Sequence, residues 1–389
     1  MNLSAAEQRI LDGEEGDGAR KALELVVALG KIYGADDLVP ITSAHVSGVS
    51  YKTIGDGGIA YLEHVSQGAK VRVPSTLNPS GMDSVRWREM GVSEEFAAKQ
   101  LHIIDLYGNM GVTTSCSCTP YLSDNVPRKG DHVAWAESSA LSMVNSMIGA
   151  RTNREGGPGA LAAAIVGRTA NYGLHLKENR APTVIVEADI DGSLFSHSLL
   201  GQAVGSRIGN GIPYFRGIRP DWEEAKIMAA AMAASGAVAM FHVEDHTPES
   251  SEHPIEGLDV IHVGEAELKD AQDSLTVVED VELIAFGCPH LSIREVKEMA
   301  SFLEGKEKKS DVKVWFCTSR EVRDALPAEV SILERFGTVL ADTCMVVTPV
   351  EGLFERSASD SAKACNYLPT LCSQKVRCDS FQTLMEVLL

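Results

Sequence analysis

Short apolar runs alternate with amphipathic segments along the chain, and the alternation is most regular from residue 183 onward. Apolar runs bounded by polar or turn residues predict strands, and apolar positions at helical spacing predict helices between them. Short strands separated by helices are typical of an α/β protein with largely parallel sheets in several layers. The predicted strands here are 183–187, 237–243, 258–262, 281–286, 312–316 and 338–341, and the predicted helices are 194–208, 223–235, 292–303 and 327–336.

The first part of the chain is less regular. Ser4 and Glu7 form a capping-box pattern that predicts a short first helix. A polar stretch before Pro182 suggests a boundary, so we expect an N-terminal α/β region at 1–180 and a C-terminal α/β region at 181–389. The other predicted helices of the N-terminal region are 19–33, 59–67, 137–148 and 160–169, and its predicted strands are 38–43, 70–74 and 101–106.

Two predicted strands are followed by loops rich in small polar residues, namely His45-Val-Ser-Gly-Val-Ser50 and Thr76-Leu-Asn-Pro-Ser-Gly-Met82. Loops after strands often carry the ligand contacts of α/β proteins, and small residues let backbone N–H groups approach an anion. Taken alone, each loop is better explained by turn chemistry. A third small-residue stretch, 156–159, precedes a predicted helix and follows Arg151 and Arg154, which suggests an anion site at that helix start.

Charge and composition exclude several classes of protein. The net charge of -19 argues against a nucleic-acid partner, because phosphate binding needs clustered Lys and Arg. The first residues have neither the basic segment nor the apolar core of a signal peptide, and no apolar run approaches the ~20 residues needed to cross a bilayer. We therefore expect a cytoplasmic protein without a membrane partner, whose eight cysteines are not a disulfide framework.

The cysteines suggest a site of their own. Cys288, Cys317 and Cys344 each follow a predicted strand, and we expect these strand ends to share one edge of a parallel sheet. Cys116 and Cys118 form a C-x-C pair in a loop that ends at a proline. Three interpretations stay open: an iron–sulfur cluster, a zinc site without the usual paired knuckles, and inert buried thiols. The remaining cysteines, Cys365, Cys372 and Cys378, are predicted to be structural, and His242, His246 and His253 are better explained as part of an acidic loop than as a metal site.

Several segments together resemble the aconitase X family, in particular its large, cluster-bearing archaeal subunits. The resemblance extends over essentially the whole chain, and the stretch from 130 to 157 is its most specific part. The segments that carry it are His45-Val-Ser-Gly-Val-Ser50, Thr76-Leu-Asn-Pro-Ser-Gly-Met-Asp83, Ser117-Cys-Thr-Pro-Tyr121, Gly130-Asp-His-Val-Ala-Trp-Ala-Glu-Ser-Ser139, Gly149-Ala-Arg-Thr-Asn-Arg-Glu-Gly-Gly157, Gly287-Cys-Pro-His290, Asp342-Thr-Cys-Met-Val346 and Ser361-Ala-Lys363.

The resemblance implies a ligand set that the residues alone do not decide. It implies that Cys118, Cys288 and Cys344 hold an iron–sulfur cluster, expected to be [4Fe–4S], and that Cys116 and Cys317 fall outside that set. Lys363 would stabilise charge on the substrate. The substrate-binding residues that the resemblance implies are Gly48, Val49, Ser50, Asn78, Pro79, Glu137, Ser138 and Lys363.

The same resemblance implies a hydro-lyase that dehydrates (R)-5-phosphomevalonate to trans-anhydromevalonate 5-phosphate in an archaeal-type mevalonate route to isoprenoids. We expect the swivelling small domain of such enzymes, and with it the general base, to come from a separate small subunit. One alternative is the same chemistry on cis-3-hydroxy-L-proline. Another, from a different class, is a non-catalytic scaffold subunit with buried thiols.

Overall fold

Parallel sheets form the framework of the computed structural model, which describes residues 1–123 and 125–389. They confirm the predicted α/β architecture with largely parallel sheets. The strands are β1 (Leu38–Pro40), β2 (Ser43–Val46), β3 (Ser75–Leu77), β4 (Val133–Trp135), β5 (Arg168–Ala170), β6 (Val184–Ala188), β7 (Pro213–Arg216), β8 (His242–Val243), β9 (Val260–Val263), β10 (Leu283–Leu291), β11 (Lys313–Thr318), β12 (Thr338–Ala341), β13 (Arg356–Ser359) and β14 (Lys375–Cys378).

The strands assemble into sheets that follow the chain order only in part. One parallel sheet has the order β3-β2-β4, a second has the order β8-β7-β6-β9, and a third has the order β12-β11-β10-β13-β14. Strands β1 and β5 form an antiparallel pair. The parallel arrangement matters for function, because parallel strands place all their carboxyl ends at one edge of a sheet.

Helices cover these sheets and start at recognisable caps. In the helix at Ile293–Leu303, Ser292 and Glu295 form a capping box, and Val296, Met299 and Leu303 face the core at helical spacing. The helices are α1 (Ala5–Leu11), α2 (Asp17–Ile32), α3 (Tyr51–Val65), α4 (Glu94–Asn109), α5 (Ser138–Met143), α6 (Gly157–Val166), α7 (Leu194–Ile208), α8 (Trp222–Gly236), α9 (Glu265–Leu275), α10 (Ile293–Leu303), α11 (Arg320–Ala325), α12 (Pro327–Leu333), α13 (Ala362–Cys372) and α14 (Phe381–Glu386).

The predicted strand at 101–106 is wrong, because these residues belong to α4. The apolar run there is also compatible with a helix, and the buried positions Gln100, Ile103, Leu106 and Tyr107 recur at helical spacing. Ser93 caps the helix by accepting a hydrogen bond from the Phe96 N–H. The error has a consequence for the site, because α4 carries a side chain that holds two of the substrate loops.

Other boundaries differ from the prediction in smaller ways. The strand predicted at 237–243 is reduced to β8, and the strand predicted at 70–74 lies instead at β3. The helix predicted at 59–67 is the second part of α3, which is kinked at Gly55. Strands β4, β5, β7, β13 and β14, each of at most four residues, were not predicted. The division of the chain at residue 180 stays a prediction.

The largest hydrophobic core joins distant parts of the chain. It runs from Met82 to Cys378 and includes Trp135 and Phe241, so the sheets around it share one interior. Within the described residues, no helix combines the length and the apolar character that crossing a bilayer requires.

Candidate active site

The carboxyl ends of two parallel sheets converge on a pocket of about 280 Å³. Sheet β3-β2-β4 contributes the loops that follow its strands, at 47–50, 78–79 and 136–138. The sheet around β10 contributes residues from the end of β10, the loop after β12 and helix α13. Ligands of α/β proteins bind at such edges, so this pocket is the candidate active site.

The structure brings all the predicted site residues to this pocket, although their roles stay predictions. Residues that the sequence did not single out also line it, and two of them, Tyr367 and Leu371, follow Lys363 at intervals of four on α13. That spacing is the signal that could have found them. The lining contains Gly48, Val49, Ser50, Asn78, Pro79, Cys118, Glu137, Ser138, Cys288, Cys344 and Lys363, together with Ser47, Thr53, Ala136, Val346 and Val347.

Local backbone geometry turns the cysteine thiols toward the pocket. Strand β10 pairs regularly with β11 only as far as Phe286, and its register then shifts. Gly287 makes this irregularity possible, because it has φ of +92° and packs against the backbone of Cys317 where a side chain would clash. Cys288 follows directly and lies inside β10, not past the end of the strand as predicted, because the strand continues beyond Gly287 to Leu291. Cys344 lies in the loop after β12, as predicted.

Cys317 and Cys116 lie outside the pocket. Cys317 was expected just past its strand, but it lies inside β11 opposite Leu340, and its side chain is completely buried. The apolar run at 312–316 contains no turn residue that would have marked the true end of the strand. Cys116 is buried in the N-terminal core. The three parallel strands share an edge as expected, but only Cys288 and Cys344 of this group reach the pocket.

A buried histidine connects the three cysteine-bearing segments. His290 donates from its backbone N–H to the Cys118 sulfur at 3.2 Å. Its Nε2 lies 2.7 Å from the carbonyl oxygen of Thr343, which precedes Cys344, and its Nδ1 lies 3.3 Å from the Ser117 hydroxyl. Because a carbonyl only accepts, Nε2 carries a proton. Burial lowers the pKa of His290 to about 4, so the ring is neutral and Nδ1 accepts from Ser117. The histidine therefore links the segments that carry Cys118, Cys288 and Cys344.

The thiols lie in a setting that disfavours ionisation without a bound cation. Burial raises the pKa of Cys118 to about 12, and Glu137 adds to this effect. The neighbouring Cys288 thiol, together with burial, raises the pKa of Cys344 well above its ordinary value. Metal binding reverses such shifts, because coordinated thiols lose their protons. No three metal-binding side chains among the described residues are grouped closely enough for a single ion, although all three cysteines line the pocket.

A buried ion pair also lines the pocket. Lys363, near the start of α13, donates to the carboxylate of Glu137 and, at 3.2 Å, to the hydroxyl of Ser139. Glu137 caps α5 by accepting from the Ala140 N–H at 2.6 Å. Burial alone would raise the pKa of Glu137, but Lys363 and these hydrogen bonds outweigh it and lower the pKa. The pair is therefore charged, and it presents an ammonium group to the pocket.

The substrate loops are held by side chains from other elements. Gln100 of α4 donates to the Val49 carbonyl at 3.0 Å and accepts from the N–H groups of Tyr51 and Gly81 at 3.0 Å each. Ser50 donates across to the Val347 carbonyl at 2.7 Å and so ties the two sides of the pocket together. The loops at 48–51 and 79–81 are thus positioned before any ligand binds.

The anion site predicted from the two arginines and the glycine stretch at 156–159 is not part of the pocket. Arg151 donates to the His175 carbonyl and Arg154 to the Ala233 carbonyl, and neither lines the pocket. Gly157, at the start of α6, packs directly on the carbonyl of Ser47, where any side chain would clash. The glycine stretch therefore supports a substrate loop from behind.

A larger cavity elsewhere lacks the chemical groups that line the pocket. A cavity of about 610 Å³ lies between the starts of α7, α8 and α10, and its described lining contains acidic and aromatic residues but no cysteine or lysine. Most of its carboxylates already take part in helix caps or ion pairs. Glu224, for example, accepts a hydrogen bond from the Asp221 N–H at the start of α8. The smaller pocket, with its thiols, ammonium group and free loop donors, is the better candidate on chemical grounds.

Comparisons with known proteins agree on one family. Models of the first, second and third domains of aconitase X match residues 1–178, 182–273 and 281–389. The chain is 49% identical to the phosphomevalonate dehydratase large subunit of Methanothermobacter thermautotrophicus over 98% of each chain. It is 33% identical to the cis-3-hydroxy-L-proline dehydratase of Pseudomonas aeruginosa, covering 96% of this chain and 68% of that protein. A crystal structure of Thermococcus kodakaraensis aconitase X in its holo-form matches all of both chains with a TM-score of 0.93 and 44% identity.

Proposed function

Because the chain belongs to the aconitase X family, we propose that it is the large subunit of a phosphomevalonate dehydratase. In this role it is a hydro-lyase that converts (R)-5-phosphomevalonate to trans-anhydromevalonate 5-phosphate and water in a mevalonate route. The much higher identity to the large subunit than to the hydroxyproline dehydratase favours this substrate. The match also spans nearly the whole of the large subunit, but only about two thirds of the hydroxyproline enzyme.

The observation that carries the proposal is the gathering of three thiols and a buried lysine around one pocket. The thiols of Cys118, Cys288 and Cys344 would hold a [4Fe–4S] cluster, since each thiolate of such a cluster binds a different iron. The backbone N–H group that donates to the Cys118 sulfur is a typical partner of a cluster thiolate. When bound, such a cluster with three protein ligands supplies an open iron that acts as a Lewis acid on the hydroxyl and carboxylate of the substrate.

The chain's own residues bind and orient the substrate. Lys363 neutralises negative charge on it, in a pocket where burial strengthens the attraction. The backbone N–H groups of Gly48, Val49 and Ser50 donate to no acceptor among the described residues, so they are available to substrate oxygens. The apolar side chains of Val346 and Leu371 also line the pocket.

The remaining parts would come from a partner. Loss of water from a 3-hydroxy acid requires removal of a proton from the neighbouring carbon, and we assign this general base to a separate small subunit that carries the swivelling domain. The active enzyme is then a cytoplasmic complex of two chains. In this proposal the small partner covers the pocket, because the pocket opens at the surface and the general base must reach the substrate there.

Iron and sulfide content, measured without oxygen, test the cluster. We expect the wild type to be brown and to contain iron and acid-labile sulfide, and Cys118→Ala, Cys288→Ala and Cys344→Ala to lose both. Cys317→Ala is the matched control, because its thiol is also buried but does not line the pocket. A colourless, iron-free wild type would leave a zinc site or a non-catalytic scaffold as the explanation.

A dehydration assay with the small subunit tests the substrate. We expect the complex to convert (R)-5-phosphomevalonate and to leave cis-3-hydroxy-L-proline unchanged. The opposite preference would assign the chain to the hydroxyproline branch of the family, and no conversion of either substrate by an iron-loaded complex would refute the proposed reaction.

A further inference from the structure

A chain of buried hydrogen bonds runs behind the substrate loops and ends at Asn78. His45, in the middle of β2, is completely buried. Its Nδ1 lies 2.9 Å from the Thr76 hydroxyl on β3, and its Nε2 lies 3.3 Å from Oδ1 of Asn78. Asn125 donates from Nδ2 to the same Thr76 hydroxyl at 2.9 Å and to the Ala44 carbonyl at 3.0 Å. Asn78 is the member that lines the pocket.

The sheet register places these residues together. His45 on β2 is directly opposite Thr76 on β3, and Asn78 follows the end of β3. The backbone N–H of Asn78 donates to the Val46 carbonyl at 2.9 Å, which continues the pairing of the two strands by one step. A histidine one strand away can therefore reach the amide of Asn78 without any loop movement.

The direction of every hydrogen bond in this chain follows from the carbonyl group at which the chain begins. The Ala44 carbonyl only accepts, so Asn125 must present its amide nitrogen, and the Thr76 oxygen then receives a proton from Asn125. The single hydroxyl proton of Thr76 is left for Nδ1 of His45. A neutral His45 then carries its proton on Nε2 and donates it to Oδ1 of Asn78.

The surroundings keep His45 neutral. Burial lowers its pKa to about 4, although Glu137 and the bond to Asn78 act in the opposite direction. The Trp135 ring, 5.9 Å away, occupies the other neighbouring strand. A neutral imidazole with one fixed proton transmits a defined polarity, which a charged one with two donors would not do.

We propose that His45 is a positioning residue that holds Asn78 with its amide NH₂ group, and not its oxygen, toward the substrate. The inference rests on the proposed function, because it assumes that the substrate occupies this pocket. Asn78 Nδ2 meets no acceptor among the described residues, so its donors are free for the ligand. The ligand atom opposite Asn78 is therefore an acceptor oxygen, as the carboxylate and phosphate of the proposed substrate provide. A substrate that presents an ammonium group there would meet the wrong polarity.

A double-mutant cycle tests whether His45 acts through Asn78. In the two-chain enzyme, His45→Phe and Asn78→Ala are each expected to lower kcat/KM by about 10- to 100-fold, the range for a hydrogen bond to a charged group. The double variant is expected to fall no further than Asn78→Ala alone. Fully multiplied losses would overturn the proposal, because they would mean that His45 acts independently of Asn78.

Thr76→Val keeps the argument testable if His45→Phe does not fold. It removes the hydroxyl that sets the tautomer, and it is expected to lower kcat/KM in the wild-type background but not in Asn78→Ala. Thr169→Val is the matched control, because it also removes a buried threonine hydroxyl but one that contacts Glu155 away from the pocket. A loss in Thr169→Val as large as that in Thr76→Val would contradict the positioning role.

A second measurement needs no turnover and separates this inference from the proposed function. Nitrogen NMR of the full-length, metal-free chain with labelled histidines, assigned by comparison with His45→Phe, reports the tautomer directly. From about pH 6 to about pH 8, we expect the His45 ring to be neutral and protonated at Nε2. A ring protonated at Nδ1, or charged, would refute the relay even if the dehydratase assay succeeds, and the expected tautomer would stand even if that assay fails.

Discussion

Two buried ion pairs of this chain have almost the same exposure but different surroundings. In the pocket, the side chains of Lys363 and Glu137 are 8% and 6% exposed. In the interior, Arg180 and Glu249 are 0% and 5% exposed. Burial alone does not show which pair is functional, because removing two charges from water costs free energy in either place. The difference lies in what else each cation contacts.

All the N–H donors of the Arg180 guanidinium are engaged in hydrogen bonds. Its guanidinium forms a fork with Glu249 and also donates to the carbonyls of Asn145, Ala150 and Leu174 and to the side-chain oxygen of Asn145. Lys363 has three donors and contacts only Glu137 and Ser139 among the described residues. A saturated cation ties segments of the fold together, whereas a cation with a spare donor at a pocket can bind a ligand.

Removal of Arg180 should produce the largest effect on stability. Arg180→Met leaves Glu249 charged and buried without a partner and deprives backbone carbonyls of their donors, so we expect it to lower the free energy of unfolding by about 3–5 kcal/mol. Activity per folded, iron-loaded molecule should stay unchanged. Urea unfolding and the dehydratase assay measure the two effects. Arg335→Met, an exposed arginine, is the control, and equal stability of the two variants would contradict the structural role of Arg180.

Removal of Lys363 should have the opposite balance of effects, namely a large loss of activity and a smaller loss of stability. Lys363→Met is expected to lower kcat/KM by about 10²- to 10³-fold, as the loss of a group that stabilises developing charge does. Its cost in unfolding free energy should be smaller, about 2–3 kcal/mol, because Glu137 keeps its hydrogen bonds to Ser139 and Ala140. If Lys363→Met retains more than a tenth of the wild-type activity, the spare donor is not used in the reaction.

Neutralising both members of each pair sharpens the contrast. Lys363→Met combined with Glu137→Gln removes the uncompensated charge, so we expect it to recover about 2 kcal/mol of stability without recovering activity. Arg180→Met combined with Glu249→Gln should recover less than half of its loss, because the backbone carbonyls still lack donors. Full recovery of stability in the arginine pair would mean that its hydrogen bonds to the backbone contribute little.

The sequence predicted the architecture better than the connections that hold the site. Apolar periodicity located α10 to within one residue of its observed bounds, because a long amphipathic segment has a local signal. The run at 101–106 was assigned to a strand because it is short, apolar and ambiguous. The consequence was that Gln100, which holds two loops about 20 and 50 positions away, was missed. Nothing near Gln100 in the sequence indicates that role.

The same limit applies to the candidate site. Strand ends drew attention to Cys288 and Cys344, but the choice of Cys118 over Cys317 came from the resemblance to a family, since a thiol inside a strand and one past its end differ by a single position. The pairing of Lys363 with Glu137 joins residues 226 positions apart, and no local pattern encodes it. Local signals therefore give elements, whereas contacts between strand ends emerge only from the assembled sheets.

A third buried carboxylate, Glu155, gives the smallest and most specific test of the comparison. Unlike Glu137, it has no cation within ion-pair distance in the described residues, and its carboxylate accepts a hydrogen bond from Thr169 at 3.1 Å. Burial raises the pKa of Glu155 from the ordinary 4.5 to about 7. Both glutamates are buried, so their opposite pKa shifts measure the presence or absence of a neighbouring lysine.

The direction of the pH effect follows from proton binding. Between its unfolded and folded pKa values, the folded state holds a proton on Glu155 that the unfolded state has released, so the stability it contributes is full below pH 4.5 and is lost as the pH rises through about 7. Glu155→Gln mimics the protonated form and keeps the acceptor for Thr169. From about pH 5.5 to about pH 7.5, the wild type should therefore lose roughly 1–2 kcal/mol relative to Glu155→Gln. Urea unfolding at both pH values measures this, with Glu304→Gln on the surface as the control, and a constant difference across pH would mean that Glu155 is ionised in the folded chain.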